Sequence, residues 1–176
     1  LQTMGGTSRV LLGLILGGMM AVDMGGPVNK AAYVFATGTL AAAGGEYGTP
    51  IMAAVMAGGM VPPLGIAIAT TFFKNKFNTE EREAGKSNYI MGLSFITEGA
   101  IPFAAGDPIR VIPASVIGAA IAGGISMFFN ISVPAPHGGI VVMFLSNHVF
   151  IYILAVLIGS IITALLLGVL KKKVVQ

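Results

Sequence analysis

The sequence predicts an all-α integral membrane protein with multiple transmembrane helices, broken helices and at least one re-entrant hairpin. Three observations carry that prediction. Hydrophobic residues make up 55% of the 176 residues and charged residues only 10%, with a mean hydropathy of +0.88. A soluble domain carries about 25% charged residues, so this chain lacks the polar surface to face water all round. Val149 to Leu170 is an unbroken run of 22 uncharged residues; as a helix it extends about 33 Å, matching a hydrocarbon core of about 30 Å. The remaining apolar runs are cut repeatedly by Gly and Pro, the pattern of broken helices at transporter binding sites. The net charge of +3 is small, and its clustering matters more than its sum. The absence of Cys excludes disulfides, thiolate metal sites and a cysteine nucleophile within this chain. Trp is also absent, which leaves interfacial anchoring to Tyr, Lys and Arg. The first residue is Leu and no basic segment precedes the first apolar run, which reads as a fragment of a longer protein rather than a processed signal peptide.

Taken in order, Val10 to Val22 is a charge-free run of 13 residues, short of the roughly 20 needed to span. Its Gly13 and Gly17 form a G-x-x-x-G pair that lets another helix approach closely. Asp23-Met24-Gly25-Gly26-Pro27-Val28-Asn29-Lys30 then breaks the helix and crowds a carboxylate, an amide and an ammonium into eight residues. An exterior loop is the plain alternative for that segment. The Ala- and Gly-rich run from Ala31 to Gly45 follows, then Glu46, the single charge between Ala31 and Phe73. Tyr47 to Phe73 is 27 residues long, long enough to span, with a kink or break expected at Pro62-Pro63. Met52, Met56 and Met60 share one helix face and read as packing.

Lys74 to Lys86 is the one long polar segment. Ala84-Gly85-Lys86-Ser87 mimics the end of a phosphate loop, but position 80 is Glu where the upstream Gly must sit. Nucleotide binding is therefore not expected. Asn78-Thr79 followed by Glu80, Glu81 and Glu83 reads as a capped surface helix start. Further on, Asp107 and Arg110 are placed to pair across a turn, and Val111 to Phe129 supplies 19 apolar residues fit to span. His137, beside Gly138 and Gly139, sits in a loop between membrane segments; a solvated loop histidine is the plain alternative. His148 opens the last apolar run as an interfacial cap or a supporting group, and Lys171-Lys172-Lys173 closes it.

Ile96-Thr97-Glu98-Gly99-Ala100-Ile101-Pro102-Phe103 is the most informative stretch. Glu98 is the only charge from Ser87 to Gly106, and an unpaired carboxylate at membrane depth costs about 2.5 kcal/mol or more. Pro102, four residues later, disfavours continuous helix. The stretch reads as a helix end or re-entrant tip presenting a carboxylate and free backbone groups to a polar ligand; a helix-terminal Glu in the aqueous interface is the alternative. By the positive-inside rule the Lys74–Lys86 loop and the Lys171–Lys173 tail are both cytoplasmic. Val111–Phe129 and Val149–Leu170 supply two crossings between them, so Ser87–Arg110 must enter and return on one side.

The strings Asp23–Ala32, Ile96–Phe103, Asp107-Pro108 and Pro136-His137-Gly138-Gly139 resemble the membrane-embedded sugar permease component (IIC) of the bacterial phosphotransferase system, fructose family. The resemblance covers nearly the whole chain, residues 1–176, as the C-terminal half of a permease component, the N-terminal helices being absent. It implies a multi-pass protein of the bacterial inner membrane that translocates fructose or a related hexose in an elevator-like movement, coupled to phosphorylation by a phosphocysteine on a cytoplasmic IIB domain, itself charged through IIA. It further implies a homodimer, no cofactor, no metal and no nucleic-acid partner. Sugar binding is carried over to Glu98, as orienting group or general base, and to His137. Thr97 and Gly99 flank Glu98. Asp23 and Asn29 bind further hydroxyls or hold the broken helix in shape, and Lys30 pairs with Asp23 or lies near the incoming phosphate. The competing readings are a secondary transporter or channel that moves a polar solute unmodified, and a structural or sensing membrane subunit.

Overall fold

The computed structural model describes residues 6–44 and 48–174, so Glu46 lies outside the described residues. The architecture is all-helical. In chain order the helices are α1 (Gly6–Val22), α2 (Pro27–Ala42), α3 (Pro50–Phe72), α4 (Thr79–Leu93), α5 (Ile101–Gly106), α6 (Pro108–Phe128), α7 (Ile140–Met143) and α8 (Val149–Leu170), with 3₁₀ turns at Lys74–Lys76 and Thr97–Ala100. Three of them, α3, α6 and α8, are long and apolar enough to cross a membrane.

Helix α3 is the axis of the molecule. It is apolar on every side and buried on almost every side, the condition for a helix without a polar face. Helices α1, α4, α6 and α8 pack around it. Met52, Met56 and Met60 are all fully buried there, in the packing role their spacing indicates. Helices α6 and α8 keep an outward apolar face instead: Ile109, Phe150 and Val169 are 83, 84 and 79% exposed. Large aliphatic and aromatic side chains left uncovered on this scale belong against lipid rather than water.

Small residues set the helix spacing. Gly13 of α1 abuts Gly123 and Met127 of α6, and Gly17 abuts Ala119 and Gly123, so the two helices run antiparallel at backbone contact. The G-x-x-x-G pair read from the sequence thus has its partner. Helices α6 and α8 close in the same way through Gly118 and Gly159, with the Thr163 hydroxyl donating to the Ala114 carbonyl at 3.3 Å. Helices α3 and α8 run parallel, and the buried Tyr152 hydroxyl donates to the Ala53 carbonyl at 2.8 Å.

Of the kink or break expected near Pro62-Pro63, the break does not occur: α3 is continuous through both prolines. A helix proline removes the bond to the carbonyl four residues earlier, which for Pro63 is that of Gly59. That carbonyl accepts a 2.9 Å hydrogen bond from the Thr97 hydroxyl instead. Helix α4 begins as the sequence indicates, with a reciprocal capping box between Asn78 and Glu81, both bonds 2.8 Å. Arg110 Nη1 lies 3.0 Å from both oxygens of Asp107. His148 holds the N-cap position of α8 but makes no side-chain capping bond.

The two basic segments meet at one end. Lys171 is buried, its Nζ 3.0 Å from Glu81 Oε1 and 4.6 Å above the Phe77 ring. Lys76 Nζ donates to the Lys171 carbonyl at 2.6 Å. From this end α4 climbs along α3, with Gly85 against Thr70 and Gly92 against Leu64. The turn after α4 reaches Gly59, near the middle of α3, and the chain then returns until Phe103 meets Phe77 edge-on.

Candidate functional site

Three chain reversals converge beside the middle of α3. The first separates α1 from α2. Helix α1 stops at Val22, Met24 and Gly25 take positive φ (47° and 116°), and α2 restarts on Pro27. Asp23 holds this break: its carboxylate accepts from Val28 N at 2.7 Å and Asn29 N at 2.9 Å. These are donors that the first turn of a helix leaves orphaned, and a carboxylate there also suits the helix dipole. Asn29, buried, donates its amide to the Met20 carbonyl at 2.8 Å, so the end of α1 and the start of α2 are tied together. Gly25 is required by contact as well as by φ, since a side chain there would press on the Glu98 carboxylate.

The second reversal ends α4. The Ile96 N–H donates to the Met91 carbonyl at 2.8 Å and the Phe95 N–H to that of Gly92 at 3.2 Å, the two bonds of a Schellman motif. Its left-handed position is Phe95, at φ 61°, where glycine is the usual occupant. The Phe95 ring is buried, 6.2 Å from the Tyr33 ring and 5.2 Å from that of His137, centroid to centroid. The 3₁₀ turn Thr97–Ala100 follows, with Pro102 seated in the first turn of α5.

The third is the loop Pro136-His137-Gly138-Gly139. Gly138 and Gly139 have φ of 128° and 52°, and Gly139 packs directly on the backbone of Leu93 and Phe95. That close approach, open only to glycine, sets His137 beside the second reversal.

Between the three lies a cavity of about 230 Å³ lined by Met20, Asn29, Lys30, Tyr33, Phe95, Ile96, Thr97, Glu98 and His137. Five of the seven site residues expected from the sequence therefore share one space. Asp23 and Gly99 do not line it. Asp23 spends its carboxylate on backbone donors, and Gly99 faces Asn88 and Met91, which leave no room for a side chain. Lys30 sits 3.8 Å from Glu98 Oε1, the two side chains 60 and 49% exposed. So solvated and so long a pair contributes about 1 kcal/mol at most, which leaves both groups available to a ligand. Glu98 supplies acceptors, Lys30 donors, His137 a donor and an acceptor, and Asn29 its carbonyl oxygen and one N–H, the other N–H being committed to Met20. The aromatic wall of Phe95 and Tyr33 was missed by sequence reasoning; its one signal was an aromatic residue two positions before Thr97.

The chain is similar along its length to several bacterial and archaeal proteins. It is 56% identical over 176 residues to the PTS system fructose-specific EIIABC component of Bacillus subtilis, covering 100% of this chain and 27% of that protein. To the fructose permease IIC component of Bacillus amyloliquefaciens it is 58% identical over 174 residues, 99% of this chain and 56% of the relative. To the PTS system fructose-specific EIIC component of Haloferax volcanii the identity is 52% over 167 residues, 95% and 44% respectively. The chain thus spans between about a quarter and somewhat over half of the length of these curated relatives. No family model matches it, and no solved structure does. From end to end, the chain is a homologue of the fructose-specific IIC component of the phosphotransferase system, and it corresponds to part of such a component.

Proposed function

We propose that the chain is the sugar-binding, C-terminal part of a IIC permease that carries fructose across the plasma membrane while the sugar is phosphorylated. The observation that carries this reading is the convergence of Asn29, Lys30, Glu98 and His137, from three separate reversals, on one cavity half-way along the most buried helix. Cavities for drug-sized ligands run from about 300 Å³ upward; one of about 230 Å³ suits a smaller, polar ligand. The carboxylate and imidazole address sugar hydroxyls, and the Phe95 and Tyr33 rings offer an apolar wall to the C–H face.

In this reading residues 87–110 form a re-entrant hairpin. Support comes from α4 leaving the basic end, the turn at Glu98 meeting Gly59, and Phe103 returning to Phe77. The basic end faces the cytoplasm, as the clustering of Lys74, Lys76, Lys86 and Lys171–Lys173 favours. There the permease works with IIA and IIB; the name of the Bacillus subtilis relative carries A and B beside C. In the transfer, the sulfur–phosphorus bond of a IIB phosphocysteine breaks and an oxygen–phosphorus bond to the sugar forms. Glu98 accepts the hydrogen bond of the attacking hydroxyl, and takes its proton if it acts as general base. Phosphoryl transfer depends above all on positioning, and Lys30 stands where it can meet the incoming phosphoryl charge.

Equilibrium binding of radiolabelled fructose to the purified protein tests the site. Glu98→Gln is expected to weaken binding by about 10- to 100-fold, the loss of a charged hydrogen-bond acceptor, without lowering the thermal unfolding temperature. Equal binding by the variant would remove Glu98 from the site.

A further inference from the structure

The groove between α3 and α4 carries a different chemistry. Met60, Leu64, Ile68 and Thr71 follow one another at intervals of four, four and three, and Arg82, Lys86, Tyr89 and Leu93 at four, three and four. Each set is therefore one helix stripe. The stripes run side by side: the Tyr89 hydroxyl lies 2.9 Å from Thr71 Oγ1. At the basic end, a cavity of about 280 Å³ is lined by Thr70, Thr71, Lys74, Arg82, Glu83 and Lys86. Three cations face one carboxylate there, and that carboxylate, Glu83, is 2.7 Å from Lys86. Further toward the middle of α3, a second cavity of about 230 Å³ is walled by Leu64, Ile68, Leu93, Ile153 and Leu157 among others, and presents no polar atom. Leu93 and Leu157 are 38 and 44% exposed, so its mouth opens on the outer apolar face. The Tyr89–Thr71 hydroxyl pair stands where the charged part gives way to the apolar part.

A cationic head space in line with an apolar trough along the same two stripes, the Thr71–Tyr89 pair between them, matches an amphiphile with an anionic head. We propose that this groove holds one membrane phospholipid of anionic headgroup, its phosphate on Arg82, Lys86 and Lys74 and an acyl chain in the apolar cavity. Basic pockets between membrane helices bind anionic headgroups through the same charge complementarity. The proposal needs α3 and α8 to lie in a bilayer; it does not depend on the sugar reading.

Native mass spectrometry of the protein in mild detergent, after addition of dioleoyl-phosphatidylglycerol or dioleoyl-phosphatidylcholine, tests it. One phosphatidylglycerol is expected to be retained about tenfold more than phosphatidylcholine, and R82Q/K86Q to reduce that retention about tenfold or more. Leu157→Trp, which fills the mouth of the apolar cavity, is expected to reduce retention of the diacyl lipid while the protein stays monodisperse and unfolds at the wild-type temperature. Equal retention of the two lipids, or unchanged retention in either variant, would overturn the proposal. So would displacement of the lipid by inorganic phosphate or glycerol phosphate at equal concentration, which would mark a site for soluble anions.

Discussion

Thr97 shows how one hydroxyl ties the site to the scaffold. Pro63 has no N–H for the Gly59 carbonyl, and Thr97, buried and 38 residues away in sequence, supplies the missing donor at 2.9 Å. The residue after it is Glu98, so the position of the carboxylate is anchored to the middle of α3 through its neighbour. Thr97→Val removes the donor and leaves a buried carbonyl without a partner, at a cost of about 1–3 kcal/mol. Thr97→Ser keeps the donor and is expected to lose less than about 1 kcal/mol. Thermal unfolding of the two variants in detergent separates them. If valine and serine behave alike, the hydroxyl does not serve Gly59. The sequence shows Thr97 beside an isolated carboxylate and Pro62-Pro63 within an apolar run, but not that the two features answer one another. The contact is tertiary, and for that reason the prolines read as a break. Phe95 was hidden for a similar reason: its left-handed φ of 61° is held by hydrogen bonds to Met91 and Gly92 and by rings from two other segments. Local sequence would have placed a glycine there.

At the scale of elements, the glycines divide sharply by what they touch. Gly17 lies where α1, α3 and α6 meet, its Cα side against Ala119 and Gly123 on one flank and Gly58 on the other. Gly38, inside α2, has open space around it and an ordinary helical backbone. Gly17→Val must force helices apart and is expected to destabilise by about 1–3 kcal/mol or more. Gly38→Ala gains helix propensity and is expected to stabilise by about 0.5–1 kcal/mol. Thermal unfolding in detergent measures both, and a neutral Gly17→Val would contradict the backbone contact of α1 with α6. Much at this scale was legible. Val149 to Leu170 is one helix with those bounds, Asn78 and Glu81 form their capping box, and the chain breaks between Val22 and Pro27. Each of these is written in local chemistry: an uncharged run, a cap, two glycines before a proline. Helix α1 extends past its apolar core to Gly6, because its polar first turn leaves no mark in hydropathy.

For the whole molecule, the organising feature is the meeting of three reversals beside a buried axial helix, with both basic segments joined at one end through Lys171 and Glu81. Asn29, Lys30, Thr97, Glu98 and His137 were each visible in the sequence as polar residues in apolar surroundings, and it is the fold that sets them around one space. Asp23 looked the same in the sequence, yet its carboxylate is consumed by the backbone of α2; the distinction depends on which way a turn points its side chain. The proposed function requires this space to bind a sugar that is phosphorylated as it passes. Its most direct test is the formation of labelled fructose phosphate by membranes carrying a full-length permease that includes this chain, supplied with phosphoenolpyruvate, the phosphocarriers, IIA and IIB. Wild type is expected to form fructose phosphate and Glu98→Gln to lose it by about 100-fold or more, the scale of a positioned acid–base or orienting group. Uptake of unmodified sugar driven by an ion gradient, with no sugar phosphate formed, would contradict it.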